Sequence, residues 1–220
     1  MLRAVIFDMD GTITDTEKYY FTAWQQAFHE FGMVDFEPED ALELRSFDAR
    51  LAAAHIRKKF GDGVDYFAVR ERRRQLVENL LKTQGIQLKP GIKEILSYIK
   101  EKGLKCAVAT ATALDLTKER LTGLGIADEF DAIISAKTVE WGKPQPDVYL
   151  YACEQIEETP GDCLAVEDSP NGILSAYRAG CKPVLVPDLT DITPELEPFL
   201  YDCVPSLTDL KNTVERCLQE

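Results

Sequence analysis

Apolar residues run along this chain in two rhythms. A short continuous run, Ala4 to Phe7, reads as a buried strand. Behind it Tyr20, Phe21, Trp24, Ala27, Phe28 and Phe31 recur at helical spacing, with Gly32 placed to close the helix. Thr14-x-x-Glu17 reads as the capping box that opens it. Residues 38 to 87 show no strand-like alternation. Pro38-Glu39-Asp40 begins one helical stretch, a second runs from about Asp48 to Lys59 and stops at Gly61-Asp62-Gly63, and a third runs from about Tyr66 to Leu81. From Pro90 onward strand and helix signals alternate. Strands are predicted at Leu104 to Ala109, 131–135, Cys163 to Val166 and Pro183 to Val186, with a short sixth at Cys203-Val204. Helices fall between them and a last one at about 208–218.

Alternating βα units predict an α/β fold, a parallel Rossmann-like sheet covered by helices. Residues 8 to 103 separate the first strand from the second, far more than a βα crossover needs. The excess reads as an inserted helical cap domain at residues 16–87, with residues 1–15 and 88–220 forming the core.

Composition narrows the class. The chain has 220 residues, enough to bury a core without staples. A net charge of −13 argues against nucleic acid as partner, since phosphate backbones attract basic faces. No apolar run approaches the ~20 residues that span a bilayer. Met-Leu-Arg enters the first strand without the apolar stretch of a secretory signal. The six cysteines form no CxxC pair and read as reduced thiols. A cytoplasmic monomer acting on a small molecule is the expectation.

Candidate chemistry gathers where strands end. Asp8 and Asp10 follow the first strand, one residue apart, and Gly11 lets the chain turn away. Side chains at i and i+2 of an extended segment share a face. Two carboxylates about 4 Å apart at a surface-like dielectric repel by about 4 kcal/mol, so a proton or a cation is expected between them. Thr110 ends the second strand, Lys143 lies in the Gly142-Lys143-Pro144-Gln145-Pro146-Asp147 loop after the third, and Glu167-Asp168 ends the fourth. In a parallel sheet these ends share one edge, where α/β proteins bind ligands. Carboxylates without nearby His or Cys suit a hard cation such as Mg²⁺. Each piece also has a plain reading: Thr110 as a strand-end hydroxyl, Lys143 as a surface lysine, Glu167-Asp168 as a cap on the next helix.

Together, in this order, DxDGT, the strand-end threonine, the lysine of GKPxPD and the ED of VEDSPNGI resemble the four motifs of the haloacid dehalogenase superfamily. The resemblance covers the whole chain, and within the superfamily it is most similar to the β-phosphoglucomutase-like phosphatases with a C1 cap. It implies a Mg²⁺-dependent phosphatase of a small phosphorylated metabolite. Asp8 is then the nucleophile that becomes an aspartyl phosphate, and Asp10 the acid and base, its backbone carbonyl also reaching the metal. Asp8 and Asp168 supply carboxylate ligands, with Glu167 assisting. Thr110 and Lys143 hold phosphoryl oxygens, and Ala111, Tyr20 and Arg73 are expected against the substrate.

Alternatives are a phosphate mutase, a dehalogenase and an idle binding protein on the same fold. Dehalogenases lack the metal and the second Asp. The mutase pattern has a cap histidine where this chain has Tyr20, a Lys-Asn pair where it has Ala113 and Leu114, and a cap arginine at the position of Ala49, one place from Arg50. The run Arg70-Glu71-Arg72-Arg73-Arg74 reads by default as a solvated face with partners such as Glu78. The sharper reading turns one or two of these arginines into the site, where they would hold remote anionic groups of a substrate.

Overall fold

The computed structural model describes all 220 residues. Strand β1 is Ala4–Phe7, and four helices follow it: α1 (Glu17–Glu30), α2 (Pro38–Glu43), α3 (Ala49–Phe60) and α4 (Tyr66–Gln84). Helix α5 (Ile92–Glu101) leads into β2 (Lys105–Thr110) and α6 (Leu114–Gly123). Then come β3 (Ala132–Ser135), α7 (Asp147–Gln155), β4 (Cys163–Glu167) and α8 (Pro170–Ala179). The chain finishes with β5 (Lys182–Leu185), β6 (Asp202–Cys203) and α9 (Leu210–Gln219). No helix is long and apolar enough to cross a membrane.

The six strands form one sheet in the order β3-β2-β1-β4-β5-β6, every pair parallel. β1 lies between β2 and β4, and the chain order reverses beside it, which opens a crevice at the strand carboxyl ends. The two-residue period sorts side chains to two cores. Val5 and Phe7 pack with Val108 and Val166 under α5, α6 and α9, beside Ile95, Leu121 and Val214. Ala4 and Ile6 face the other side, where Ala107, Ala109 and Ala165 leave room for Tyr149, Cys153 and Ala176 of α7 and α8. A third apolar cluster lies wholly among α1–α4, with Trp24 and Phe28 stacked at 5.6 Å and Phe28 and Phe36 at 4.0 Å.

The two chain passages between the sheet and α1–α4 run side by side. Thr14 and Leu88 form an antiparallel bridge, Asp15 N–H donates to Gln87 O and Lys89 N–H donates to Ile13 O. This pairing corrects one local expectation. Helix α1 begins at Glu17 after Thr16, and the Thr14–Glu17 capping box does not form. The Thr14 hydroxyl instead donates to Met9 O at 3.1 Å, and the Glu17 carboxylate faces Arg45 at 3.4 Å. A carbonyl in the preceding turn has taken one half of the motif and a distant arginine the other.

Candidate active site

β1 ends at Phe7, and Asp8, next in the chain, is 1% exposed. A carboxylate so buried needs charge compensation. It comes from Lys143, fully buried, whose ammonium donates to Asp8 Oδ1 and Glu167 Oε1 at 2.6 Å each and to Ala109 O at 2.9 Å. Lys143 is therefore no surface lysine. Burial works against its charge, but Asp8 and Glu167 outweigh it and hold the ammonium above its ordinary range. Burial pushes the Asp8 carboxyl well up, against the pull of Lys143, and Glu167 and Asp168 push it the same way.

Glu167 ends β4 and is pinned on three sides. Tyr149 Oη donates to its Oε1 at 2.6 Å, Lys143 shares that oxygen, and Ser169 Oγ donates to Oε2 at 3.2 Å. Gly172, in the first turn of α8, makes room for it: a Cβ there would lie 2.0 Å from the carboxylate carbon. The carboxylate can retreat only by breaking those bonds. We expect Gly172→Ala to displace Glu167 and cost more than ~10-fold in activity, checked by kcat/KM beside an unchanged far-ultraviolet spectrum.

Asp168 follows, 1% exposed, with Arg45 donating to its carboxylate and, at 3.1 Å, to its backbone carbonyl. Burial, offset by Arg45 and reinforced by Glu167, pushes its carboxyl up to about 6. Asp8, Glu167 and Asp168 each offer an oxygen within 4.8 Å of the other two. Three buried carboxylates, two of them with raised pKa, form an oxygen-only donor set short of positive charge, which fits a hard divalent cation such as Mg²⁺.

The Asp10 carboxylate stands outside this triad. It accepts from Thr16 Oγ1 and Thr112 Oγ1 at 2.6 Å each and from Arg120 Nη1 at 3.3 Å. β1 ends before Asp8, and the two side chains, though both line the pocket, find different partners. As a metal ligand Asp10 could serve only through its backbone. Thr110 Oγ1, buried at the end of β2, accepts from Thr112 N–H at 3.1 Å.

Above these groups opens a pocket of about 210 Å³, roofed by α1 and α4. Asp8, Asp10, Thr110, Ala111 and Lys143 line its floor; Tyr20 and Arg73 line the opposite wall. Tyr20 Oη accepts from Arg120 Nη1 at 3.0 Å, and burial next to Asp10 raises its phenol further. The arginine run splits. Arg72 pairs with Glu30 at 2.5 Å, and Arg74 pairs with Glu71 and Glu78. Arg70, Arg73 and the ion-paired Arg74 all line the pocket, so the solvated-face reading holds for only part of the run. Neither Ala49 nor Arg50 reaches it; Arg50 stacks on Trp141 at 3.8 Å and is exposed. Sequence reasoning missed Arg45, Arg120 and Tyr149.

The comparisons agree with this geometry. Residues 5–186 match the haloacid dehalogenase-like hydrolase family. A phosphorylated carbohydrates phosphatase of Thermotoga maritima is 32% identical over 186 residues, covering 81% of this chain and 82% of that protein. A β-phosphoglucomutase of Bacillus subtilis is 30% identical over 185 residues, covering 81% and 80%. The crystal structure of a β-phosphoglucomutase from Clostridium difficile superimposes with a TM-score of 0.82 at 24% identity, covering 100% of this chain and 98% of that one. Sheet order, strand-end chemistry and sequence lead to one assignment: the chain belongs to the haloacid dehalogenase-like hydrolases.

Proposed function

We propose that this hydrolase is a Mg²⁺-dependent phosphatase of small phosphomonoesters, working through a phosphorylated Asp8. The observation that carries the reading is Lys143, buried without exposure and bridging Asp8 and Glu167 at the pocket floor. In this reading residues 16–87 act as a cap over a core made of 1–15 and 88–220. The carbohydrate phosphatase of Thermotoga maritima supports the substrate class.

Asp8, Glu167, Asp168 and the Asp10 carbonyl would hold the cation, whose charge stabilises the transferring phosphoryl group when bound. The protein's own groups do the rest. An Asp8 oxygen attacks phosphorus as the ester P–O bond breaks, while Asp10 gives its proton to the leaving alkoxide. Water then attacks the aspartyl phosphate, Asp10 takes its proton, and phosphate leaves with Asp8 restored. Lys143 and the Thr110 hydroxyl stabilise charge on the phosphoryl oxygens. Thr16 and Thr112 hold Asp10 at 2.6 Å each, fixing the direction of its proton transfer.

Activity should vanish in EDTA and return with Mg²⁺. Ca²⁺ should not replace it, because its larger and looser coordination disturbs in-line geometry. The decisive measurement is phosphate release from a panel of phosphomonoesters with and without Mg²⁺; full activity in EDTA would overturn the metal assignment.

Transfer to water, not to a second sugar hydroxyl, is the outcome the wall residues favour. Tyr20 keeps its phenol protonated and bonded to Arg120, a poor partner for proton exchange at pH 7. Ala113, also on the wall, offers no charge. β-Glucose 1-phosphate should therefore give phosphate and glucose or no reaction. Glucose 6-phosphate forming faster than phosphate would establish the mutase reading instead.

A further inference from the structure

The pocket holds more positive charge than its own carboxylates consume. Asp8 is satisfied by Lys143, Glu17 faces Arg45, and Asp10 is held by two hydroxyls and Arg120. Glu78 is bound by Arg74, and Asp48 accepts from Arg50 and from Gly142 N–H. Three cations remain: Arg70 and Arg73 on α4 and Lys137 just after β3, all lining the pocket and none in an ion pair. They crowd one another. Burial and the neighbouring Arg70 hold both Arg73 and Lys137 below their ordinary pKa ranges. The Arg73 guanidinium lies 4.6 Å from the Trp24 ring and 5.1 Å from that of Tyr20, and its buried Nε has no hydrogen-bond partner.

Such an arrangement is costly by itself. Like charges repel, and a buried N–H without an acceptor loses its hydration for nothing. In a chain of net charge −13, carboxylates are plentiful, and Asp48 and Glu17 act on Lys137 and Arg73 from across the pocket, yet none forms an ion pair with these three groups. The cluster is also two-sided, with α4 supplying two guanidinia and the β3 edge one ammonium. Its members come from α4 and the segment after β3, whereas Lys143 is engaged by Asp8 and Glu167.

We infer that the natural substrate carries a second anionic group, a carboxylate or another phosphate, bound by Arg73, Arg70 and Lys137 while its phosphomonoester lies on Asp8. This rests on the phosphatase reading and narrows its substrate class to two-anion metabolites. Two forked guanidinia and an ammonium match an oxyanion with two or three oxygens. The aromatic faces beside Arg73 hold its plane in place before the anion arrives.

Matched substrates test the inference with Mg²⁺ present. Sorbitol 6-phosphate is compared with 6-phosphogluconate, glycerol 3-phosphate with 3-phosphoglycerate, and glucose 1,6-bisphosphate covers a second phosphate. At least one two-anion compound should exceed its single-anion partner in kcat/KM by about tenfold or more, the worth of a charge-assisted contact. The carboxylate and bisphosphate arms tell which oxyanion is used. Arg73→Gln and Lys137→Gln, on separate elements, should each shrink that ratio about tenfold. Single-anion partners turned over as well as the two-anion compounds, or ratios unmoved in both variants, would overturn the inference. If even p-nitrophenyl phosphate is inert, the phosphatase reading fails, and the subsite is judged by calorimetry on the Asp8→Asn protein. Tighter binding of the two-anion compounds, lost when Arg73→Gln is added, sustains it; equal binding overturns it.

Discussion

Asp8→Asn will leave a folded protein with no measurable phosphatase activity, a loss we put above about 10⁴-fold in kcat. An amide nitrogen or oxygen at that position cannot form the acyl phosphate, and no neighbouring carboxylate is free to take its place: Asp10 is held by Thr16, Thr112 and Arg120. Glu167 is locked by Tyr149, Lys143 and Ser169, and Asp168 by Arg45. The substitution also removes a buried negative charge from beside Glu167 and Asp168, which oppose its ionisation. The folded state should therefore survive, and phosphate release with a thermal melt in parallel checks both halves. Turnover near the wild-type rate would remove Asp8 from the mechanism.

Lys143→Met is expected to be the most destabilising single change at the site. It deletes the one ammonium between Asp8 and Glu167 and strands two fully buried carboxylates. Breaking such a pair from one side costs about 3–5 kcal/mol. The pH dependence has a definite sign. Without the ammonium the folded-state carboxyl pKa values rise, as that of Asp8 already does through burial. The folded form then holds protons that the unfolded chain has released, so stability falls as pH rises above the unfolded carboxylate range near ~4. Urea unfolding at several pH values should show the deficit largest at neutral pH and shrinking toward acid. A deficit independent of pH would mean that lost packing, not stranded charge, is the cause.

The sheet was legible because its signal is local: apolar runs of four to six residues, each ending in a polar residue with work to do. Thr110, Lys143 and Glu167-Asp168 could be placed on one edge from parallel topology alone. Residues whose meaning depends on distant partners could not. Arg45 follows a short helix with no pattern to mark it, and its partner Asp168 is 123 residues away. Tyr149 carries the spacing of a packing residue, and nothing in that spacing reveals the bond from its hydroxyl to Glu167. Thr14 and Glu17 show the reverse failure, a local motif overridden by a turn carbonyl on one side and a tertiary contact to Arg45 on the other. The arginine run was readable in part. Arg70, Arg73, Arg74 and Val77 fall at helical spacing, and Val77 is buried, so the three arginines share the pocket-facing side while Arg72 does not.

Arg45 ties the turn between α2 and α3 to the carboxylates under β4. It touches the Asp168 side chain and carbonyl, Glu17, and Thr190 Oγ1 at 2.5 Å. A cation seated on Asp168 would draw on the same negative charge that holds this guanidinium. By linkage, the two are thermodynamic rivals or allies by the same factor in each direction. In the proposed site, the cation's hold on Asp168 and the Arg45 tether of that turn would therefore be coupled, each altering the other by one shared factor.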